Sequence, residues 1–205
     1  MKITMPICNP TEPSRSRFRI KRFLLCLGLV VWLVMVSGRA FSVGSLVDLE
    51  VPDLELVNQD GEKGRLLSDF IGDRLAAITF TYTNCTTICP VLDGIFLSVQ
   101  KKIAEDLGKD IVLITISIDP DTDIPQRLKA HAEKLGTKPG WIFLTGEKAD
   151  ITKILRGFEV FSTDILSHPP SVFVLDGQKK EWHRLYGFPS GKSIVSLIQE
   201  LQDER

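Results

Sequence analysis

The stretch that decides the fold is LAAITFTYTNCTTICP, residues 75–90. Its first seven residues form an apolar run that ends in β-forming residues, which predicts a buried strand. Cys85 and Cys89 follow this strand after a short polar segment. Pro90 suits the first turn of a helix, because the N–H that proline lacks has no partner there. The stretch therefore predicts a buried strand, a turn with two cysteines, and the start of a helix.

On the carboxyl side, predicted strands and helices alternate. The helix that starts at Pro90 is expected to run to about Leu107, and residues 111–118 (IVLITISI) are mostly β-branched, which predicts a strand. Asp121 or Thr122 is expected to cap the next helix. The further predicted elements are a helix from about 124 to 135, a short strand at 141–144, a helix at 147–158, a strand hairpin at 171–175 and 181–186, and a final helix capped by Ser190.

On the amino side, residues 53–67 are expected to form a β-hairpin with Asp60-Gly61 as its turn. Residues 41–52 are expected to be a linker. Strands that alternate with helices predict an α/β domain, in which a central mixed sheet carries helices on both faces. The closing order of strand, hairpin, strand and helix is typical of a thioredoxin-like domain, which we expect at residues 53–205.

The first forty residues have the layout of a secretory signal. A basic stretch precedes fourteen uncharged residues at 23–36, and small residues allow a cut after Ala40. The apolar run is shorter than the roughly 20 residues that a spanning helix prefers, which favours a signal peptide. An uncleaved membrane anchor with its basic end in the cytoplasm is the alternative. Both interpretations predict an extracytoplasmic, periplasmic body, either secreted or tethered to the inner membrane through residues 23–36.

The rest of the chain has a composition of its own. Residues 41–205 carry a net charge of −7, which argues against nucleic acid as a partner. All three methionines lie before residue 41, so a metal site in the body has no thioether ligand. The chain is 43% hydrophobic and 25% charged, which is typical of a globular protein and excludes disorder.

Cys85 and Cys89 are the main candidates for chemistry. Their spacing can bring both sulfurs to one side of a turn, and Cys89 is predicted at a helix N-terminus, where the dipole and free N–H groups favour a thiolate. Thiolates bind soft metals and attack disulfides. A structural disulfide is the alternative in an oxidising compartment. However, a disulfide that closes so small a loop constrains the unfolded chain little.

His168 is the third candidate. It precedes a predicted strand, in the loop that faces the cysteine-bearing helix start in a thioredoxin-like domain. Two thiolates and one imidazole suit copper, since thiolates favour Cu(I) and imidazole also accepts Cu(II), whereas zinc usually takes a fourth ligand. A loop histidine fixed between its neighbours is the alternative interpretation. His131 and His183 are expected to be solvated or structural, because neither is predicted near the cysteines.

An acid-rich segment, residues 117–123 (SIDPDTD), follows the second predicted strand. Its simplest interpretation is a strand end followed by a helix cap, with acidic residues in the first turn. Three aspartates in a loop are weak evidence for a hard-cation site, which needs a defined set of oxygen ligands. Asp119, at the carboxyl end of the strand, is a candidate to orient a ligand or tune a thiolate without binding the metal itself.

From about residue 53 to 201 the chain resembles the SCO/SenC family, copper-binding thioredoxin-like proteins that assist cytochrome c oxidase assembly. The CxxxCP motif combined with a histidine at this distance is fairly specific, whereas any one part alone is weak. The matching segments, in the family's order, are FTYTNC at 80–85 through Cys89-Pro90, Ser117-Ile118-Asp119-Pro120 with Asp123, Leu144-Thr145-Gly146, and His168 before a strand that ends in Asp176-Gly177.

The resemblance implies that Cys85, Cys89 and His168 are copper ligands, and that Asp119 is the aspartate of the family's S-x-D-P segment. It also implies delivery of copper to the dinuclear copper A centre of oxidase subunit II, or reduction of that centre's cysteines. The departures from the family pattern are Thr86 where members often have proline, a short stretch at 158–167 before the histidine, and Pro169-Pro170 directly after it.

Two functions are therefore open. A metallochaperone would bind one copper ion through the two cysteines and His168, and pass it to oxidase subunit II or another extracytoplasmic copper or thiol protein. A thiol–disulfide oxidoreductase would use Cys85 and Cys89 as a redox pair on partner cysteines. The helix-end position favours Cys89 as the low-pKa thiol, whereas thioredoxin usage favours the first cysteine, so the attacking sulfur stays unassigned. A thiol peroxidase and a redox sensor are weaker alternatives.

Overall fold

The chain builds one eight-stranded mixed sheet. The computed structural model describes residues 44–164 and 169–205. The strands within these residues are β1 (Ser45–Val47), β2 (Glu55–Asn58), β3 (Lys63–Arg65), β4 (Leu75–Thr81), β5 (Ile111–Ser117), β6 (Trp141–Thr145), β7 (Ser171–Asp176) and β8 (Glu181–Tyr186). Across the sheet they stand in the order β1-β8-β7-β4-β5-β6-β2-β3.

The centre of the sheet is the pair β4 and β5, whose apolar sequences allow both faces to be covered. Every residue of both strands is buried. The two strands run parallel, with Leu75 opposite Ile111 and Thr81 opposite Ser117. β6 continues the parallel order beyond β5, whereas β7 runs antiparallel to β4. Consequently β4 and β5 end at the same edge of the sheet, and β7 begins near that edge.

Helices cover both faces of the sheet. They are α1 (Cys89–Lys102), α2 (Pro125–Leu135), α3 (Lys148–Gly157) and α4 (Gly191–Asp203), with a π-helical turn at Leu66–Ile71. Apolar side chains of α1, α2 and α4 pack in one buried cluster, and those of α3 and the π-helical turn pack in a second. Neighbouring residues of β4 enter different clusters, Ala77 the first and Ile78 the second, because side chains alternate across a strand.

This architecture agrees with the predicted mixed sheet with helices on both faces. β2 and β3 form the predicted N-terminal hairpin. In its turn, Gly61 has a φ of 85°, a left-handed conformation that glycine adopts without strain. Ser190 caps α4 as predicted, and its side chain accepts a hydrogen bond from the N–H of Ser193 at 3.1 Å.

Three local predictions differ from the structure. α1 ends at Lys102 rather than near Leu107, because the chain turns over the following residues to reach β5. The expected caps of α2 are wrong: Ile124 precedes the helix and no side chain caps it. β1 lies inside the segment expected to be a linker, where it pairs with β8 at the edge of the sheet.

Several predictions fall on residues that the structure does not describe. The leader at 1–40, its tether at 23–36, the first residues of the expected linker, and His168 all lie outside the described residues. Within the described ranges, no helix is both long enough and apolar enough to cross a membrane. The choice between a cleaved signal peptide and an anchor therefore stays a prediction.

Candidate functional site

Three segments of the chain meet at the edge of the sheet where β4 and β5 end. The segment after β4 carries the cysteines, and the acid-rich segment follows β5. The N–H of Ile118 donates to the carbonyl of Thr81 at 2.8 Å, so these two segments leave the sheet side by side. The third segment enters β7 at this edge, where the carbonyl of Pro170 accepts a hydrogen bond from the N–H of Gly187 at 3.0 Å.

A tight turn brings the two cysteines together. The N–H of Cys85 donates to the carbonyl of Tyr82 at 2.9 Å, and α1 begins at Cys89. Because the first N–H groups of a helix have no partner within it, the N–H of Cys89 is able to donate to Cys85 Sγ, at 3.4 Å. Both cysteines are free; Cys85 is half-buried, whereas Cys89 is 2% exposed. The pair thus presents one accessible sulfur and one buried sulfur.

The surroundings shift the pKa values of the two thiols in opposite directions. Burial opposes ionisation of Cys85, but hydrogen bonds from the Cys89 thiol, from the N–H groups of Cys89 and Thr87, and from Tyr82 outweigh burial and lower the Cys85 pKa to about 6. Burial raises the pKa of Cys89 to about 12, and its hydrogen bond to Cys85 adds to the effect. The expectation that the helix end favours Cys89 as the thiolate is wrong, because the helix N–H donates to Cys85 instead.

Two hydroxyl groups complete the surroundings of Cys85. Burial, together with the neighbouring Cys85, raises the pKa of Tyr82 to about 12, so its hydroxyl stays protonated and donates. Thr87 Oγ1 lies 3.8 Å from Cys85 Sγ. Donors of this kind stabilise a negative sulfur more than a neutral thiol. No pattern in the sequence distinguishes Tyr82 from the other residues at the end of the strand.

A buried carboxylate anchors the segment that leads to the first cysteine. Asp123 is fully buried, and its oxygens accept hydrogen bonds from the N–H of Thr83 at 3.0 Å, from the Thr83 hydroxyl, and from the Ser117 hydroxyl at 2.7 Å. Arg127 Nε lies 3.9 Å from Asp123 Oδ1, and the same guanidinium donates to Thr83 Oγ1 and Asn84 Oδ1. The sequence predicts that Asp123 is an acidic residue in the first turn of a helix. In the structure it is instead the centre of a buried hydrogen-bond network.

Asp119 supports the same turn through its backbone. Its N–H donates to the Ser117 hydroxyl at 3.1 Å, and its carbonyl accepts from the N–H of Asp123 at 2.8 Å. Asp119 lines a pocket together with Lys148 and Phe161. Among the described contacts, no hydrogen bond joins Asp119 to either cysteine, and its predicted role near a bound ligand stays a prediction.

The other two histidines of the body lie on a helix and on a strand. His131 Nε2 lies 3.0 Å from Asp93 Oδ2, which joins α2 to α1. His183 lies on β8 opposite Leu46 of β1, and burial lowers its pKa. In the described part of the chain neither ring contacts the cysteine pair, in agreement with the prediction.

The donors fit a soft metal ion but are incomplete within the described residues. Two sulfurs on one turn, one of them poised to be a thiolate, are the ligand type that Cu(I) prefers. Across residues 44–164 and 169–205, no three His, Cys, Asp or Glu side chains group closely enough to hold a metal. The third predicted ligand, His168, lies outside the described residues.

The chain has clear relatives. A sequence model described as SCO1/SenC matches residues 46–202. An SCO2-like protein of Rickettsia felis is 30% identical over 160 residues, which are 72% of this chain and 74% of that protein. The solved structure of BsSco, described as a member of the Sco family of cytochrome c oxidase assembly proteins with a disulfide switch, is 25% identical, with a TM-score of 0.64 over 76% of this chain and 95% of that one.

A third relative shows the fold at greater distance. The structure of Arabidopsis thaliana ScoI, solved with copper bound, is 20% identical and has a TM-score of 0.61, covering 78% of this chain and 99% of that one. The fold and the two free cysteines at a helix start define a thioredoxin-like protein with a CxxxC pair, which confirms the predicted fold class. The chain belongs to the SCO1/SenC family, so the predicted resemblance is also confirmed.

Proposed function

We propose that this protein is a copper-binding metallochaperone that assists assembly of the copper centre of cytochrome c oxidase. The observation that carries the proposal is the pair of free thiols, with Cys85 Sγ accepting a hydrogen bond from the N–H of Cys89 at 3.4 Å, at the edge of a Sco-family sheet. Support also comes from two relatives: BsSco is described as a member of an oxidase assembly family, and Arabidopsis thaliana ScoI was solved with copper bound.

In this proposal Cys85, Cys89 and His168 hold one copper ion as cargo. Copper supplies the chemistry of the partner's centre, and this chain supplies three soft or borderline ligands and a surface that exposes one of them. Of the two cysteines, the half-buried Cys85 is the one that a partner's thiolate reaches first, whereas Cys89 is shielded by the core. Such an arrangement favours transfer by stepwise ligand exchange, in which the exposed ligand is replaced before the buried one.

The place of action follows from the leader pattern. We propose that residues 1–40 direct the body out of the cytoplasm, either as a cleaved signal or as a tether through residues 23–36. The partner would then be oxidase subunit II or another extracytoplasmic copper or thiol protein. A body of net charge −7 is consistent with a protein partner rather than with nucleic acid.

A second candidate function, thiol–disulfide oxidoreductase, is favoured by the unequal thiols. The Cys85 thiolate would attack one sulfur of a partner disulfide, and the displaced sulfur would leave as a thiolate and take a proton. The Cys89 thiol would lose its proton and attack the Cys85 sulfur of the mixed disulfide. The products would be a Cys85–Cys89 disulfide and a reduced partner dithiol, so two electrons would pass from this protein to the partner.

Copper loading of the reduced full chain tests the first proposal. The wild type is expected to retain about one copper per chain, with a thiolate charge-transfer absorption, and Cys85→Ser and Cys89→Ser are each expected to lose most of the affinity, because the site has three protein ligands. Ser98→Ala, which removes a hydroxyl that donates only to the carbonyl of Ile95 among the described contacts of α1, is the control and is expected to bind as the wild type does. Copper binding that is unchanged in Cys85→Ser would refute the proposed site.

His168→Ala separates the two functions. A chaperone needs His168 as a ligand, so the variant should lose copper and still reduce a small disulfide substrate through Cys85 and Cys89. If the wild type holds no copper but cycles its cysteines with that substrate, the oxidoreductase proposal replaces the chaperone.

A further inference from the structure

The two cysteines are held in place by different means. Cys89 is the first residue of α1 and is 2% exposed, so the helix and the core fix it. Cys85 stands in the irregular segment between β4 and α1, and neither a strand nor a helix fixes it. The backbone hydrogen bond from Cys85 to Tyr82 closes a turn. Contacts with other parts of the chain must fix the position of that turn.

Asp123 supplies the anchor from another segment of the chain. Its carboxylate is fully buried, and it receives both the N–H and the hydroxyl of Thr83, two residues before Cys85. The Ser117 hydroxyl at the end of β5 donates to the same carboxylate at 2.7 Å. The carboxylate therefore ties the cysteine segment to the end of the central strand pair.

Arg127 extends this network to the residue next to the cysteine. Its guanidinium donates to Thr83 Oγ1 at 2.6 Å and to Asn84 Oδ1, and lies 3.9 Å from Asp123 Oδ1. All of these contacts lie on the amino side of Cys85, and none reaches Cys89. A buried anion that faces converging donors is costly to remove, because each donor is left without a partner.

We propose that Asp123 is a positioning residue that holds Cys85 at the distance from Cys89 at which the pair binds copper and closes a disulfide. The inference rests on the proposed function for its copper readout, but its disulfide readout is independent of copper. Asp123 touches neither sulfur, so it acts through Thr83 and Asn84. If this network loosens, Cys85 samples more positions and the effective concentration of one thiol near the other falls.

The chain offers a matched control for this role. Asp176 is also fully buried and is also paired with an arginine, Arg205, at 2.8 Å. It lies opposite Leu75, at the start of β4, and therefore at the far end of the sheet from the cysteines. Asp176→Asn removes a buried charge of the same kind as Asp123→Asn without touching the cysteine segment.

The experiment compares Asp123→Asn with Asp176→Asn in the full chain. The first readout, without copper, is the equilibrium between the Cys85–Cys89 disulfide and the dithiol in a dithiothreitol buffer, in which dithiothreitol is oxidised as the protein disulfide is reduced. We expect Asp123→Asn to favour the dithiol by about tenfold, equal to about 30 mV, and Asp176→Asn to match the wild type. Thr83→Val, which is nearly isosteric and deletes one hydroxyl, should shift the equilibrium in the same direction by less.

The second readout is copper affinity in competition with a chelator, and urea unfolding of each variant measures its stability. Asp123→Asn should bind copper about tenfold more weakly than Asp176→Asn at comparable stability. Equal disulfide equilibria in Asp123→Asn and Asp176→Asn would overturn the proposal, as would an unshifted Thr83→Val if Asp123→Asn fails to fold. If the wild type binds no copper, the proposed function fails, and a shifted disulfide equilibrium in Asp123→Asn still supports the positioning role.

Discussion

Selective alkylation of Cys85 gives the sharpest test of the site's electrostatics. With a pKa of about 6, about nine-tenths of Cys85 is thiolate at pH 7, against about one-hundredth for a thiol at the ordinary value of 9.0. The nucleophilicity of a thiolate falls as its pKa falls, and the logarithm of its rate constant changes by about 0.5 for each pKa unit. A pKa that is lower by about three therefore lowers the rate constant of the thiolate about thirtyfold. The two effects nearly cancel, so Cys85 reacts only about threefold faster at pH 7.

The decisive quantity is therefore the midpoint of the pH profile and not the rate at one pH. Iodoacetamide modification of the reduced, metal-free protein between pH 4.5 and 9 should follow a midpoint of about 6 at Cys85 and reach a plateau above about pH 7. Cys89, with a pKa of about 12, should stay unmodified across this range. Peptide mapping by mass spectrometry separates these sites from Cys8 and Cys26.

Two control measurements, one in urea and one on Cys89→Ala, test the cause of the lowered pKa of Cys85. In urea the hydrogen bonds to Cys85 are lost, so its midpoint should return to the ordinary value of 9.0. Cys89→Ala removes the thiol donor but keeps the backbone N–H, so the midpoint should rise above that of the wild type while it stays below the value in urea. A midpoint near 9.0 in the folded protein, or modification of Cys89 before Cys85, would contradict this prediction.

Other regions yield further predictions. Phe158 packs on Phe173 with ring centroids 4.9 Å apart and is fully buried, so urea unfolding of Phe158→Ala should show a loss of about 3–5 kcal/mol. Ser190→Ala removes the cap of α4 and should cost about 1 kcal/mol in the same assay. Burial opposes ionisation of Asp176, but bonds from Arg205 and two N–H groups outweigh it and lower the Asp176 pKa. Its contribution to stability is therefore present above pH 3.8 and is lost as the pH falls through the lower folded value; Asp176→Asn should flatten the stability curve there, and an unchanged curve would contradict this.

The parts of the fold that follow from hydrophobic patterns were predictable from the sequence. The runs at 75–81 and 111–117 are too apolar for a strand with one exposed face, and the structure buries both completely. The hairpin turn at Gly61 and the cap at Ser190 depend on local properties of these residues: glycine adopts a positive φ, and the serine hydroxyl accepts a hydrogen bond from a helix N–H. β1 carries no such pattern: its three residues gain their partners only from β8, about 135 positions later in the chain.

The pairing of the two cysteines was predictable from the sequence, but the ionisation of their thiols was not. The spacing of Cys85 and Cys89 and their place after a strand indicate chemistry, but the sequence left open which of the two sulfurs is the thiolate. The helix N-terminus does stabilise a thiolate, yet its N–H reaches the sulfur four residues earlier, and burial decides the state of Cys89. Asp123 resembled a helix acid because its partner, Thr83, lies forty residues earlier, a contact that only the parallel pairing of β4 and β5 creates.

The proposed copper site consists of Cys85, Cys89 and His168, and His168→Ala tests it most directly. Copper content and absorption are measured for the reduced full chain after loading and removal of excess metal. The control is His131→Gln, because His131 lies outside the proposed site and glutamine keeps a polar side chain beside Asp93. We expect about one copper per chain in the wild type and in His131→Gln, and loss of copper and of the thiolate charge-transfer band in His168→Ala. A His168→Ala protein that keeps the copper content and spectrum of the wild type would contradict the account.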